Sequence, residues 1–257
     1  MTVHLPYLDF ADPSFSTRSP EVLEAREQNW AARTPYGLAV LRYRQVGQIL
    51  RDRRFRQGSH NWPETNGLTG PFARFWSGSV IGQEGADHKR LRNLIVPALS
   101  DEFVASMIPA FDHIAEDLAC DLRAKEACEF QSEFAVPFAG QAITTLLGLP
   151  RSDWMVISQD ASDLGLAMGV ECLRHEPVFG AAYARLRELA LDLIKRAERG
   201  QDETSFIARL VARYHRFEGT SLEELCDLVV IAIFGGVDTT RSQLGLGMAL
   251  FCAAPDQ

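Results

Sequence analysis

An acid next to a hydroxyl, Asp238-Thr239, sits in the middle of a long apolar stretch, Leu225 to Ala254, just after Gly235 and Gly236. A carboxylate and an alcohol in apolar surroundings can relay a proton. The two glycines carry no Cβ and let another group approach the backbone closely. A second candidate lies far upstream in His88-Lys89-Arg90-Leu91-Arg92. His88 and Arg92 are four residues apart, so on a helix they share a face. Two stacked donors near a helix start can grip a carboxylate or a phosphate. Each group also has a plainer reading. The glycines can serve a close helix–helix contact with Asp238 and Arg241 solvated, and the basic residues can be a solvated helix face.

The elements that hold these residues are legible to different degrees. Ser221 and Glu224 have the spacing of a capping box, so a helix is expected to begin there. Leu228, Val229, Val230, Ile231, Ile233 and Phe234 then fall on nearly every side, the pattern of a helix buried all round. Its centre is poor by propensity, because each glycine costs about 1 kcal/mol relative to alanine. Thr239 can bond a carbonyl one turn back, and the expectation is a bend that opens a notch. Upstream, Asp87 can cap the helix that carries His88 and Arg92 and ends before Pro97.

The rest of the chain is mainly helical. Ser19-Pro20-Glu21 predicts a helix start, with the helix running to about Arg33. A short strand is expected at Leu38 to Tyr43, after the turn at Pro35-Tyr36-Gly37, and a short helix at Arg44 to Asp52. Between Phe55 and Gly85 glycines and prolines interrupt any period, and Trp62, Phe72, Phe75 and Trp76 lie among them. A loop of that length suits a lid of aromatic side chains over an apolar ligand, although packing of the same rings is the plainer possibility. Helices are expected at Phe103 to Arg123 with a break near Pro109, Phe130 to Leu147, Ser152 to Gly165, Pro177 to Arg199 and Glu203 to Tyr214. No linker or internal repeat divides them, so residues 1–257 read as one domain.

Composition narrows the function. A formal net charge of −8 argues against nucleic acid and against a polybasic membrane anchor. The acid and base inside the apolar helix argue against a membrane span, and the N-terminus has no basic run followed by an apolar core. Five cysteines without a C-x-x-C pair read as reduced thiols, so the expected compartment is the cytoplasm.

Taken together, the landmarks resemble a cytochrome P450 of the soluble bacterial type, a haem-thiolate monooxygenase. Gly235-Gly236-Val237-Asp238-Thr239-Thr240 is similar to the [AG]-G-x-[DE]-T-T signature of that family's central helix. His88-Lys89-Arg90-Leu91-Arg92 with Pro97-Ala98-Leu99-Ser100 resembles its H-x-R-L-R…P-A-F-[ST] segment. Arg51-Asp52-Arg53-Arg54-Phe55, Val136-Pro137-Phe138 through Leu147-Gly148-Leu149-Pro150, and Ala254-Pro255-Asp256-Gln257 resemble three further elements in the family's order. The resemblance implies a mainly α fold, the N-terminal part of the cytochrome P450 fold, with a small β element near the N-terminus. It implies haem b, with His88 and Arg92 on the propionates and Gly235 and Gly236 against the porphyrin. Asp238 and Thr239 are the implied acid–alcohol pair that feeds protons to dioxygen. The Phe55 to Gly85 segment and the stretch around Gly165 to Phe179 are implied to cover a small apolar substrate. A ferredoxin or flavodoxin with an NAD(P)H-dependent reductase is the implied electron donor.

The same resemblance exposes a gap. The family's iron is held by a cysteine in an F-x-x-G-x-x-x-C loop downstream of the central helix, and no cysteine here has Phe seven places and Gly four places before it. Its E-x-x-R is absent from that region too, and Glu171-Cys172-Leu173-Arg174 fits the spelling upstream by chance. No residue is therefore read as a metal ligand. The expectation is a truncated, incomplete domain, with doubtful haem retention, an apolar face left open, aggregation and no turnover on its own. The alternative is a haem-free helical binding or regulatory module derived from the same fold.

Overall fold

The structure is a computed structural model that describes residues 4–169 and 171–256. Val170, inside the stretch expected to cover substrate, and Gln257, the end of the terminal element, lie outside the described residues. Contacts group the chain into two compact units, Met1–Gln57 and Gly58–Gln257.

In the first unit α1 (Pro20–Gln28) begins at the expected proline but stops short of Arg33. Ala31–Thr34 instead forms β1, antiparallel to β2 (Gly37–Val40), with Ala31 opposite Val40 and Thr34 opposite Gly37. Burial decides this: Ala31 and Ala32 are fully enclosed, and the ladder satisfies their backbone groups. The Arg42 side chain donates to the carbonyls of Arg26 and Glu27, which satisfies the open end of α1. The helix α2 (Tyr43–Arg51) follows.

The second unit contains α3 (Trp62–Thr65), α4 (Gly70–Gly78), α5 (Gly85–Ile95), α6 (Asp101–Arg123), α7 (Val136–Leu146), α8 (Trp154–Gly165), α9 (Glu176–Glu198), α10 (Phe206–Tyr214) and α11 (Leu222–Ala253). The segment expected to be a lid is thus mostly helical. Gly67, Gly70 and Gly85 have φ of 70°, 79° and 63°, and they form the joints between short helical turns. Its rings belong to the core rather than to a mobile cover. Phe72 lies 4.7 Å from Phe179 and Phe75 lies 4.6 Å from Tyr183, ring centre to ring centre. Trp62 donates its indole N–H to the Ala167 carbonyl at 3.2 Å. Aromatic burial of this kind contributes more than an exposed lid would gain.

Two further expectations need correction. The helix α6 runs through Pro109 without the break, since that turn is exposed and water can satisfy the freed carbonyl. The helix expected from Phe130 opens as a π turn, Gln131–Ala135, before α7.

The core centres on α11, which packs against α7, α8 and α9. Its first half is enclosed: Leu225 to Ile231, Ile233 and Val237 are all buried. Each such aliphatic side chain contributes about 1.5–3 kcal/mol. Past Arg241 the helix emerges, and Leu246, Leu250 and Phe251 are 50%, 69% and 59% exposed. No single helix among the described residues is long and apolar enough to cross a membrane.

Candidate functional site

The capping box read from the sequence fixes where α11 begins. Ser221 Oγ accepts from the Glu224 amide at 3.1 Å, and the Glu224 carboxylate accepts from the Ser221 amide at 2.8 Å. The helix is then continuous through Gly235, Gly236, Asp238 and Thr239. Thr239 Oγ1 donates to the Gly235 carbonyl at 2.5 Å, the one-turn-back bond that was expected.

The two glycines do different jobs. A Cβ on Gly236 would stand 2.7 Å from Ile143 Cδ1, so Gly236 admits α7 into close contact. Nothing lies within 4 Å of a Cβ built on Gly235, whose side of the helix is open. Thr239 shares that side and is exposed, so the hydroxyl is not enclosed in a notch among the described residues. This corrects the expectation of apolar surroundings on every side.

Asp238 turns the other way. Its Oδ1 accepts from Arg241 Nη2 at 2.6 Å, and Arg241 Nη1 donates to Ser162 Oγ on α8, also at 2.6 Å. The carboxylate lies beside Gly165, where an added Cβ would come 3.9 Å from Oδ1. Asp238 and Thr239 therefore have separate partners and do not bond each other.

On α5, His88 Nδ1 donates to the Val80 carbonyl at 2.9 Å, which anchors the ring and leaves Nε2 for another partner. Only the imidazolium donates from both nitrogens, so a carboxylate at Nε2 calls for the charged ring. Arg92 is exposed and makes no hydrogen bond or ion pair among the described residues. The link from α5 to α11 runs through a different residue, Arg90, whose Nη2 stands 2.5 Å from Glu224 Oε1. Asp238 lies fourteen residues beyond Glu224, about 21 Å along a helix axis. The two candidate groups are not brought into contact.

Arg90 also borders a cavity of about 420 Å³, lined by Arg74, Gln83, Asp87, Glu223 and Asp227 among others. The Glu224 hydrogen bond holds the Arg90 guanidinium charged beyond its ordinary range. Burial alone pushes the Glu224 carboxyl up, and Arg90 with the Ser221 amide outweighs it, so the net direction is down. Deeper in, Tyr183 donates to Asp227 Oδ1 at 3.3 Å. Burial raises the Asp227 carboxyl to about 6 and pushes the Tyr183 phenol up as well. Sequence reading missed this cluster, because Tyr183 and Asp227 meet only through the packing of α9 on α11. Arg241 did leave a signal, three residues after Asp238 on a helix. Its partner Ser162 left none.

Comparison with protein-family models finds no match. Curated proteins and solved structures do match. Luteothin monooxygenase of Streptomyces thioluteus is 34% identical over 98% of this chain and 62% of its own length. Cytochrome P450-SU2 of Streptomyces griseolus is 28% identical over 85% of the chain and 52% of its own length. The crystal structure of CalO2 superposes with a TM-score of 0.79 at 27% identity, over 93% of this chain and 60% of that one. The chain is homologous to bacterial cytochrome P450s and carries the N-terminal part of their fold. It spans less than two thirds of the length of these relatives.

The residues present fit a planar, anionic prosthetic group of the haem type at the points they supply. Gly235 leaves bare backbone on the open side of α11, Thr239 offers an exposed hydroxyl beside it, and α5 presents Arg92, exposed and without a partner among the described residues. None of Cys120, Cys128, Cys172, Cys226 or Cys252 has the sequence setting of an iron ligand.

Proposed function

We propose that this chain carries the oxygen-side helix and the propionate contacts of a haem-thiolate monooxygenase. The reaction is insertion of one atom of O2 into an apolar small molecule. When bound, haem b supplies the redox chemistry, with electrons from a ferredoxin or flavodoxin served by an NAD(P)H-dependent reductase in the cytoplasm. Arg92, and His88 through Nε2, hold the propionates. Gly235 would keep the backbone low on the open side of α11, against the porphyrin, whereas Gly236, expected to share that role, faces Ile143 of α7 instead. Thr239 holds a proton at Oγ1 and hands it towards dioxygen, and Asp238 replenishes it from the α8 side. Residues 1–257 supply no thiolate in the expected setting, so they do not turn over substrate unaided.

One observation carries this reading. Homology to a monooxygenase extends over 98% of the chain, and within that stretch the hydroxyl of Thr239 stands on the face that Gly235 leaves bare. The test is a chimera in which the chain is followed by the remaining C-terminal part of luteothin monooxygenase. Reduction under carbon monoxide is expected to give the difference band of thiolate-bound haem. A folded chimera that binds no haem overturns the proposal.

A further inference from the structure

The acid of the relay is not free to turn towards its hydroxyl. Arg241 holds Asp238 Oδ1 with one arm and Ser162 Oγ with the other, each at 2.6 Å. The Ser162 hydroxyl donates to the Ser158 carbonyl at 2.6 Å, so its oxygen is oriented to accept from Arg241. The backbone of Arg241 is tied down too, since its carbonyl accepts from Gln131 Nε2 at 3.3 Å. The guanidinium is three-quarters buried, with a side-chain exposure of 23%. A guanidinium does not give up its proton in a protein and has no acceptor, so Arg241 cannot be the acid itself.

We propose that Arg241 is the positioning residue for Asp238, a clamp that fixes the carboxylate to α8 with Ser162 as its anchor. Proton delivery through Asp238 then requires the carboxylate to leave Arg241 and swing towards Thr239, or a water to bridge them. Small displacements of α8 are transmitted to the acid through Ser162 and Arg241. The clamp itself is a feature of the fold, and its catalytic consequence rests on Asp238 being the proton source proposed above.

The clamp is tested on the 257-residue chain by carboxyl-carbon NMR with labelled aspartate, the Asp238 signal being the one lost in Asp238→Asn. Ser162→Ala does not touch Asp238, yet it is expected to move that signal, and Arg241→Gln to move it further. Arg241→Lys restores the charge without the second arm and is expected to fall between. A signal unmoved in Ser162→Ala and in Arg241→Lys overturns the clamp, even where Arg241→Gln fails to fold. In the chimera completed with the C-terminal part of luteothin monooxygenase, Arg241→Gln and Ser162→Ala are expected to lower kcat by up to about a hundredfold with KM unchanged, a cost typical of a misplaced group. If Asp238→Asn leaves turnover intact while the NMR coupling holds, the proton role of Asp238 fails and the clamp stands. If Asp238→Asn abolishes product formation while the signal ignores Ser162 and Arg241, the clamp fails and the proton role stands.

Discussion

Asp238 and Thr239 are adjacent in sequence but bond in opposite directions: the carboxylate to Arg241 at 2.6 Å, the hydroxyl to the Gly235 carbonyl at 2.5 Å. Successive helical residues point about 100° apart, so one side chain reaches α8 while the other stays on the open side. The pair can act as a relay only in sequence, with Thr239 nearest the open face.

Arg92 has no partner among the described residues, so its removal costs the fold little and its proposed ligand a great deal. Arg92→Ala is expected to weaken haem binding about tenfold or more, the scale of one charge-assisted hydrogen bond. Haemin titration followed by absorbance checks it. Equal affinity in both proteins removes Arg92 from the propionate site.

The glycines separate by what faces them. Gly235→Ala fills open space and improves helix propensity, so it is expected to raise stability by up to about 1 kcal/mol while lowering haem affinity. Gly236→Ala meets Ile143 and is expected to destabilise by about 1–3 kcal/mol. Urea melts of the two variants give the signs, and stabilisation by both contradicts the packing described for α7.

Asp227 gives the fold a pH dependence. Burial lifts its carboxyl to about 6, above its ordinary 3.8, so the folded chain binds a proton that the unfolded chain has lost. Its contribution is therefore largest in acid and declines as pH rises from about 4 through about 6. Asp227→Asn keeps an acceptor for Tyr183 and is expected to stabilise by about 1–3 kcal/mol at pH 7, with no gain near pH 4. Equal effects at both pH values, in melts with the wild type alongside, contradict a buried, charge-penalised Asp227.

Leu246, Leu250 and Phe251 make the emerging half of α11 adhesive to water-excluding surfaces. Leu246→Glu with Phe251→Glu is expected to reduce concentration-dependent self-association of the 257-residue chain. Light scattering checks it, and unchanged association places the sticky surface elsewhere.

Much of this was legible in the sequence for identifiable reasons. The start of α11 could be read because Ser221 and Glu224 encode it locally, and the Thr239–Gly235 bond because it is set by helix geometry alone. Residues 55–85 misled because their helices are only one or two turns long and their joints are glycines, so no 3.6-residue period could accumulate. The end of α1 was invisible because Ala31 and Ala32 join a strand only when Ala39 and Val40 lie beside them. Arg90–Glu224 and Arg241–Ser162 link residues far apart in the chain and are products of packing. Whether the Asp238–Thr239 side of α11 is enclosed was equally beyond sequence, since enclosure depends on what covers it.

The most direct test is the ratio of dioxygen consumed to product formed in the chimera completed with the C-terminal part of luteothin monooxygenase, with wild-type Thr239 against Thr239→Ala. If Thr239 hands protons towards dioxygen, the variant continues to consume oxygen and reductant while product falls by about a hundredfold, the lower range for a lost proton-transfer group. Product per dioxygen at the wild-type level would contradict it.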